Sequence, residues 1–171
     1  MSGLTPLGIF HTVISLVAVG AGLAAFVRDR RIVPESPLGR VYFWTTVITC
    51  VTAFGIFQHG GFGKPHALAV LTLMALAVAE VSQRTRWLGR ASVYVATVAY
   101  SATFLFHMIP AVTETFTRLP VGAPLFANAD DPALQKVTLA MLLIFLAGVA
   151  LQVRRLRATR HPTAAAPFSA I

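Results

Sequence analysis

Residues 92–112 read SVYVATVAYSATFLFHMIPAV, a run with no formal charge in which His107 stands alone among hydroxyl, small and bulky apolar side chains. A helix needs roughly 20 apolar residues to cross the hydrocarbon core of a bilayer. This stretch is therefore expected to span a membrane. Four more runs resemble it. Residues 4–27 carry only His11, 41–58 carry no formal charge, 65–81 carry His66 and Glu80, and 134–153 carry only Lys136. With 56% hydrophobic and 12% charged residues over 171 positions, the composition lies far from that of an ordinary soluble domain.

The expectation is an all-α integral membrane protein with five transmembrane helices, spanning 4–27, 41–58, 65–81, 91–112 and 134–153. Together they form one domain over residues 1–158, and a flexible cytoplasmic tail follows at 159–171. The tail is rich in Pro, Ala and Ser and has no apolar face.

The arginines orient the chain. Arg28, Arg30, Arg31 and Arg40 lie between the first two spans, Arg84, Arg86 and Arg90 between the third and fourth. Arg154, Arg155, Arg157 and Arg160 follow the fifth. All of these fall on one side. Lys64, Arg118 and Lys136 fall on the other, beside Glu114, Asp130 and Asp131. The positive-inside rule then puts the N-terminus outside and the C-terminus in the cytoplasm of a bacterial inner membrane. The net charge of +8 is explained by these juxtamembrane loops and anionic lipid, without nucleic acid. Basic residues follow the first apolar run instead of preceding it, so this run is expected to be a retained span and not a secretory signal. The lone Cys50 excludes an intramolecular disulfide.

A short internal repeat suggests duplication. Leu38-Gly39-Arg40 precedes the second span, and Leu88-Gly89-Arg90 precedes the fourth. Both two-helix units run out-in-out, which predicts a pseudo-twofold four-helix bundle of helices 1–4 with helix 5 peripheral. Asp131-Pro132 reads as an N-cap followed by proline at the start of helix 5. Residues 113–131 read as an irregular outer loop over the bundle.

Four histidines fall near the outer face: His11, His59, His66 and His107. Ionisable residues within spans are rare and commonly functional. On helix 1, His11 shares a stripe with Ser15, Ala18 and Gly22. On helix 2, His59 shares one with Thr45, Thr49 and Thr52, and on helix 4, His107 shares one with Ala96, Tyr100 and Thr103. Small and hydroxyl residues mark helix–helix contacts in membranes, so these histidines are expected to face inward. His11 and His107 lie roughly 10 and 8 Å inward by helical rise, with His59 and His66 at the mouth.

Three readings stay open. In the first, His11 and His107 ligate a haem b axially, with His59, His66, Lys64 and Tyr100 near its propionates or a quinone. In the second, His11, His59, His66 and His107 bind copper or zinc directly. Either makes the chain a small redox protein exchanging electrons with quinol or a periplasmic partner. In the third, the imidazoles bond to neighbouring hydroxyls, and the chain is a non-catalytic membrane subunit or assembly factor within a larger complex. A small transporter is a more distant alternative, because no mid-membrane Gly/Pro break is evident in helices 1–4. Glu80 is expected to pair with Arg84 one turn on.

The segments Leu38-Gly-Arg-Val-Tyr42 and Gly60-Gly-Phe-Gly63 followed by His66, with His11 upstream, resemble a family of uncharacterised bacterial integral-membrane proteins. The likeness covers about helices 1–3 and implies a polytopic membrane protein without implying an activity. Many members carry a histidine just before the Leu-Gly-Arg segment, where this chain has Glu35-Ser-Pro.

Overall fold

The computed structural model describes residues 5–57 and 61–160. Its helices are α1 (Pro6–Asp29), α2 (Pro37–Ala53), α3 (Lys64–Thr85), α4 (Ser92–Phe116) and α5 (Pro132–Arg160), with a 3-10 turn at Gly89–Ala91 before α4. No strand occurs among the described residues. Four helical stretches are long and apolar enough to cross a membrane: α1, α3, the 3-10 turn with α4, and α5.

Caps account for most of the boundaries. Thr5 Oγ1 accepts the Gly8 N–H at 3.1 Å, and Ser36 Oγ accepts the Gly39 N–H at 3.0 Å, each ahead of a proline at the first helical position. Asp131 takes the Ala133 N–H at 2.8 Å and the Ala127 N–H at 3.2 Å, and Pro132 opens α5 as expected. At the other ends, α1 and α3 stop on Arg30 and Arg86 in the left-handed conformation, at φ 61° and 49°.

Several helix ends differ from the expected boundaries. The second expected span, 41–58, corresponds to the 17-residue α2, which starts at Pro37 because Ser36 caps it there, stops at Ala53 and is not among the four stretches long and apolar enough to cross. At 1.5 Å per residue it is about 25 Å long. The fourth helix was expected to end at 112, but α4 continues past Pro110 to Phe116. Pro110 costs it one backbone bond, and an ion pair from Arg118 to Glu114 lies on the continued turn. The fifth helix runs beyond 153 to Arg160, so Thr159 is helical and not the start of a tail; residues 161–171 lie outside the described ones.

The interior mixes small apolar, tyrosine and hydroxyl side chains, and the exterior is broadly apolar. Thr46, Thr49, Thr72, Ser82, Thr97, Ser101, Thr103, His66 and His107 are buried. Leu16, Leu23, Val27, Met74 and Ile144 are all more than half exposed. Water-soluble domains rarely show such broad apolar surfaces. Ala18, Ala21 and Ala25 bring α1 close to its neighbours, and a side chain at Gly22 would meet the Phe104 and Tyr42 rings at 2.7 and 2.9 Å. The most extensive contacts join α1 to α2 and α3 to α4; α2 also meets α3, α1 meets α4, and α5 packs on α4, with Gln152 Nε2 also donating to the Arg30 carbonyl at the end of α1 at 3.2 Å.

The Leu-Gly-Arg copies differ in structure. Leu38-Gly39-Arg40 lies in the first turn of α2, whereas Leu88-Gly89-Arg90 forms the turn before α4. The two glycines serve different needs. A Cβ on Gly39 would overlap the Val33 carbonyl and come within 2.9 Å of Pro34 Cα, while Gly89 has open space but a φ of +54°.

Candidate functional site

His11 lies on the second turn of α1, half-buried, with Nδ1 3.0 Å from Thr52 Oγ1 on α2. Thr52 Oγ1 in turn donates to the Ile48 and Thr49 carbonyls at 2.8 and 3.0 Å. Its proton is therefore engaged, so the oxygen accepts from His11 Nδ1–H. No described hydrogen bond uses His11 Nε2.

His107 lies in the second half of α4 and is 7% exposed. Its Nε2 is 3.1 Å from Thr46 Oγ1 on α2, and its ring meets Tyr42 edge-on with centroids 6.1 Å apart. One turn from Thr46, the Tyr42 hydroxyl is 2.8 Å from Thr103 Oγ1 on α4, which itself donates to the Tyr100 carbonyl at 2.8 Å. Tyr42 is therefore the donor to Thr103. These paired bonds run in parallel register, four residues apart on both helices, and bridge α2 to α4 through side chains alone.

Thr46 and Thr52 are six residues apart on α2. At 1.5 Å and 100° per residue they are separated by about 9 Å along the axis and about 120° around it. The threonines bonded by His11 and His107 thus lie on different faces and levels of α2, while the two imidazoles remain within electrostatic range of one another. They were expected at similar depth, facing one another across a haem plane.

His66 departs further from expectation. It was placed at the mouth, but it is 4% exposed, with Phe57 and Phe62 stacked at centroid distances of 5.0 and 5.2 Å and Phe54 at 6.4 Å. Its Nδ1 accepts the Gly63 N–H at 3.2 Å, which closes the first turn of α3 and puts the ring proton on Nε2. That nitrogen has no partner among the described residues. Three phenylalanines within nine positions were the available signal for this burial. His59 lies outside the described residues.

Lys64 and Tyr100 also lie away from an imidazole site. The Lys64 ammonium reaches Asp130 at 2.8 Å on an exposed surface. The Tyr100 hydroxyl donates to Glu80, whose other oxygen takes Arg84 Nε at 2.6 Å. The Glu80–Arg84 pair was expected; the tyrosine joining it was not. Cys50 is buried and free.

Among the described residues, no three His, Cys, Asp or Glu side chains converge as a metal-binding group. The structure does bring together Tyr42, Thr46, Thr103 and His107. Sequence reasoning missed Tyr42 and Thr46 because the threonine stripe was drawn through Thr45. The buried face of α2 instead carries Tyr42, Thr46, Thr49 and Cys50, one residue around. No protein-family model, characterised protein or solved structure matches this chain, so the resemblance over helices 1–3 has its short motifs as its only support.

Proposed function

We propose that this chain is a non-catalytic polytopic protein of the bacterial cytoplasmic membrane, a subunit or assembly factor whose buried histidines fasten its helices. The observation that carries the reading is that His11 and His107 each bond a different threonine of α2. In hydrocarbon surroundings such bonds join helices that have no hydrophobic drive to associate. The broad apolar exterior supports membrane insertion, and the arginine asymmetry supports an outer N-terminus and a cytoplasmic C-terminus.

The contact order α1–α2–α3–α4–α1 supports a four-helix bundle, and the packing of α5 chiefly on α4 supports its peripheral place. The parallel α2–α4 bridge is compatible with a pseudo-twofold arrangement of the helices, although the Leu-Gly-Arg copies do not repeat one local structure. The broad apolar surface of α5 suits lipid or a neighbouring subunit.

One observation favours a second reading. Thr52 holds His11 through Nδ1 and leaves Nε2 available, the arrangement that commonly orients a ligating imidazole. A redox protein using haem b, copper or zinc, with quinol or a periplasmic donor as partner, would need its remaining ligands from outside the described hydrogen bonds.

Exchangeability separates these readings. Asparagine at position 11 and glutamine at position 107 can each keep a hydrogen bond to threonine where the imidazole nitrogen made one. The His11→Asn and His107→Gln proteins should extract as monodisperse species whose unfolding midpoints stay within a few degrees of the parent. Loss of a bound chromophore or metal in either variant would reject the structural role.

A further inference from the structure

On the arginine-rich side, a cleft of about 470 Å³ opens between the start of α2 and the last turns of α3. Glu35, Arg40 and Trp44 line it from one side, and Glu80, Gln83 and Arg84 from the other. Both Glu80 oxygens are taken, by the Tyr100 hydroxyl and by Arg84 Nε. The Gln83 amide donates to Glu35 Oε1 at 2.8 Å. The remaining groups keep unused capacity. The Arg40 guanidinium has no hydrogen bond or ion pair among the described residues, and Arg84 engages Glu80 through Nε, which leaves its terminal nitrogens. No Lys or Arg among them reaches Glu35, so its charge meets only a neutral amide. Glu35, Arg40 and Trp44 are exposed, and the Arg84 side chain is 77% exposed, so a molecule in the cleft can touch all four.

The charges select the ligand. A phosphate can take Arg40 and the terminal nitrogens of Arg84, but Glu35 repels a purely anionic group. The complement is a phosphate tethered to a hydrogen-bonding cation. Its ammonium would meet Glu35 and the face of the Trp44 ring. Phosphatidylethanolamine carries that headgroup, and the helix surface favours a lipid as its source. The Trp44 side chain leans back toward the start of α2 and so toward the cleft, and tryptophan favours the headgroup region. Beyond it Ile48 and Val51 are exposed at helical spacing, a stripe along which an acyl chain can lie.

We infer that this cleft binds the headgroup of phosphatidylethanolamine, a zwitterionic lipid site on the cytoplasmic side between α2 and α3. The inference rests on the membrane-spanning reading.

The full chain, as the Trp87→Phe variant, keeps Trp44 as its only tryptophan and hence as a reporter in the cleft. It is reconstituted into phosphatidylcholine vesicles containing a minor share of phosphatidylethanolamine brominated on its acyl chains. Equal shares of phosphatidylcholine or phosphatidylglycerol, brominated alike, are the comparisons. An exposed ion pair is worth about two- to fivefold in association. Quenching of Trp44 should therefore show phosphatidylethanolamine preferred over phosphatidylcholine by about that factor, with phosphatidylglycerol below phosphatidylethanolamine. Glu35→Gln removes the counter-charge of the ammonium and should bring the preference close to one. Arg40→Gln removes the phosphate anchor that sets the ammonium against Glu35 and should do the same. Glu114→Gln and Arg155→Gln, which remove equal charges elsewhere, should leave it unchanged.

Equal quenching by phosphatidylethanolamine and phosphatidylcholine, or an equal fall in the Glu114 and Arg155 variants, would overturn the site. A preference for phosphatidylglycerol over phosphatidylethanolamine would overturn the zwitterionic assignment. Abolition of the preference by soluble phosphoethanolamine, but not by inorganic phosphate at matched ionic strength, would overturn the lipid in favour of a free ligand. No quenching by any of the lipids would overturn the membrane-spanning reading itself.

Discussion

Removing His107 tests the packing account at its most buried point. His107→Ala deletes an imidazole that is 7% exposed, together with its bond to Thr46 and its edge contact with Tyr42. Losing a well-packed ring of this size costs about 3 kcal/mol. Thr46→Val keeps the shape and loses the hydroxyl, and with it the bond to His107. The informative quantity is the coupling between the two. Interhelical hydrogen bonds in membrane proteins average about 0.6 kcal/mol and reach about 1.7, so the cycle should return a value in that range. Reversible unfolding in mixed detergent micelles, followed by circular dichroism, measures all four proteins. Additivity within about 0.3 kcal/mol would mean that the pair does not interact, and the reasoning would fail. So would a His107→Ala protein as stable as the parent.

Other expectations follow from separate parts of the molecule. Gly39→Ala should destabilise the chain by about 3 kcal/mol, because the new methyl overlaps Val33 backbone that cannot rotate away. Gly89→Ala should cost only about 1–2 kcal/mol for its left-handed backbone, measured in the same micelle titration. The Ala133 and Ala127 amides, bonded to Asp131, hold its carboxyl below the usual carboxylate range. A depressed folded value means that the contribution of this cap is present above about pH 4 and is lost as pH falls through the folded pKa. Amide resonances of Ala127 and Ala133 should shift together in that acid range, and Asp131→Asn should abolish the shift.

Much of the helical order was legible because apolar runs and caps act locally. Asp131-Pro132 starts α5 where expected, and Glu80 pairs with Arg84 at helical spacing. Boundaries failed where a cap outweighed hydropathy. Ser36-Pro37 drew Leu38, Gly39 and Arg40 into α2, although arginine content suggested a loop. The inward direction of His107 was read correctly from the small and hydroxyl residues beside it. Its partner was not, since identifying Thr46 requires the rotation of α2, and threonines at 45, 46 and 49 leave that rotation ambiguous. His66 was misjudged because nearness to a glycine-rich turn suggested exposure. Phe54, Phe57 and Phe62 come from both sides of that turn and meet only once the chain has folded around it.

Cofactor content tests the central claim most directly, since the account assigns His11 and His107 to threonines of α2 and not to a ligand. The protein is purified from cells supplied with a haem precursor, copper and zinc. Oxidised and reduced absorption spectra are recorded alongside elemental analysis of the same sample. The account predicts no Soret band and no metal at stoichiometric level. A stoichiometric haem or metal that disappears in both His11→Ala and His107→Ala would contradict it and establish the redox reading instead.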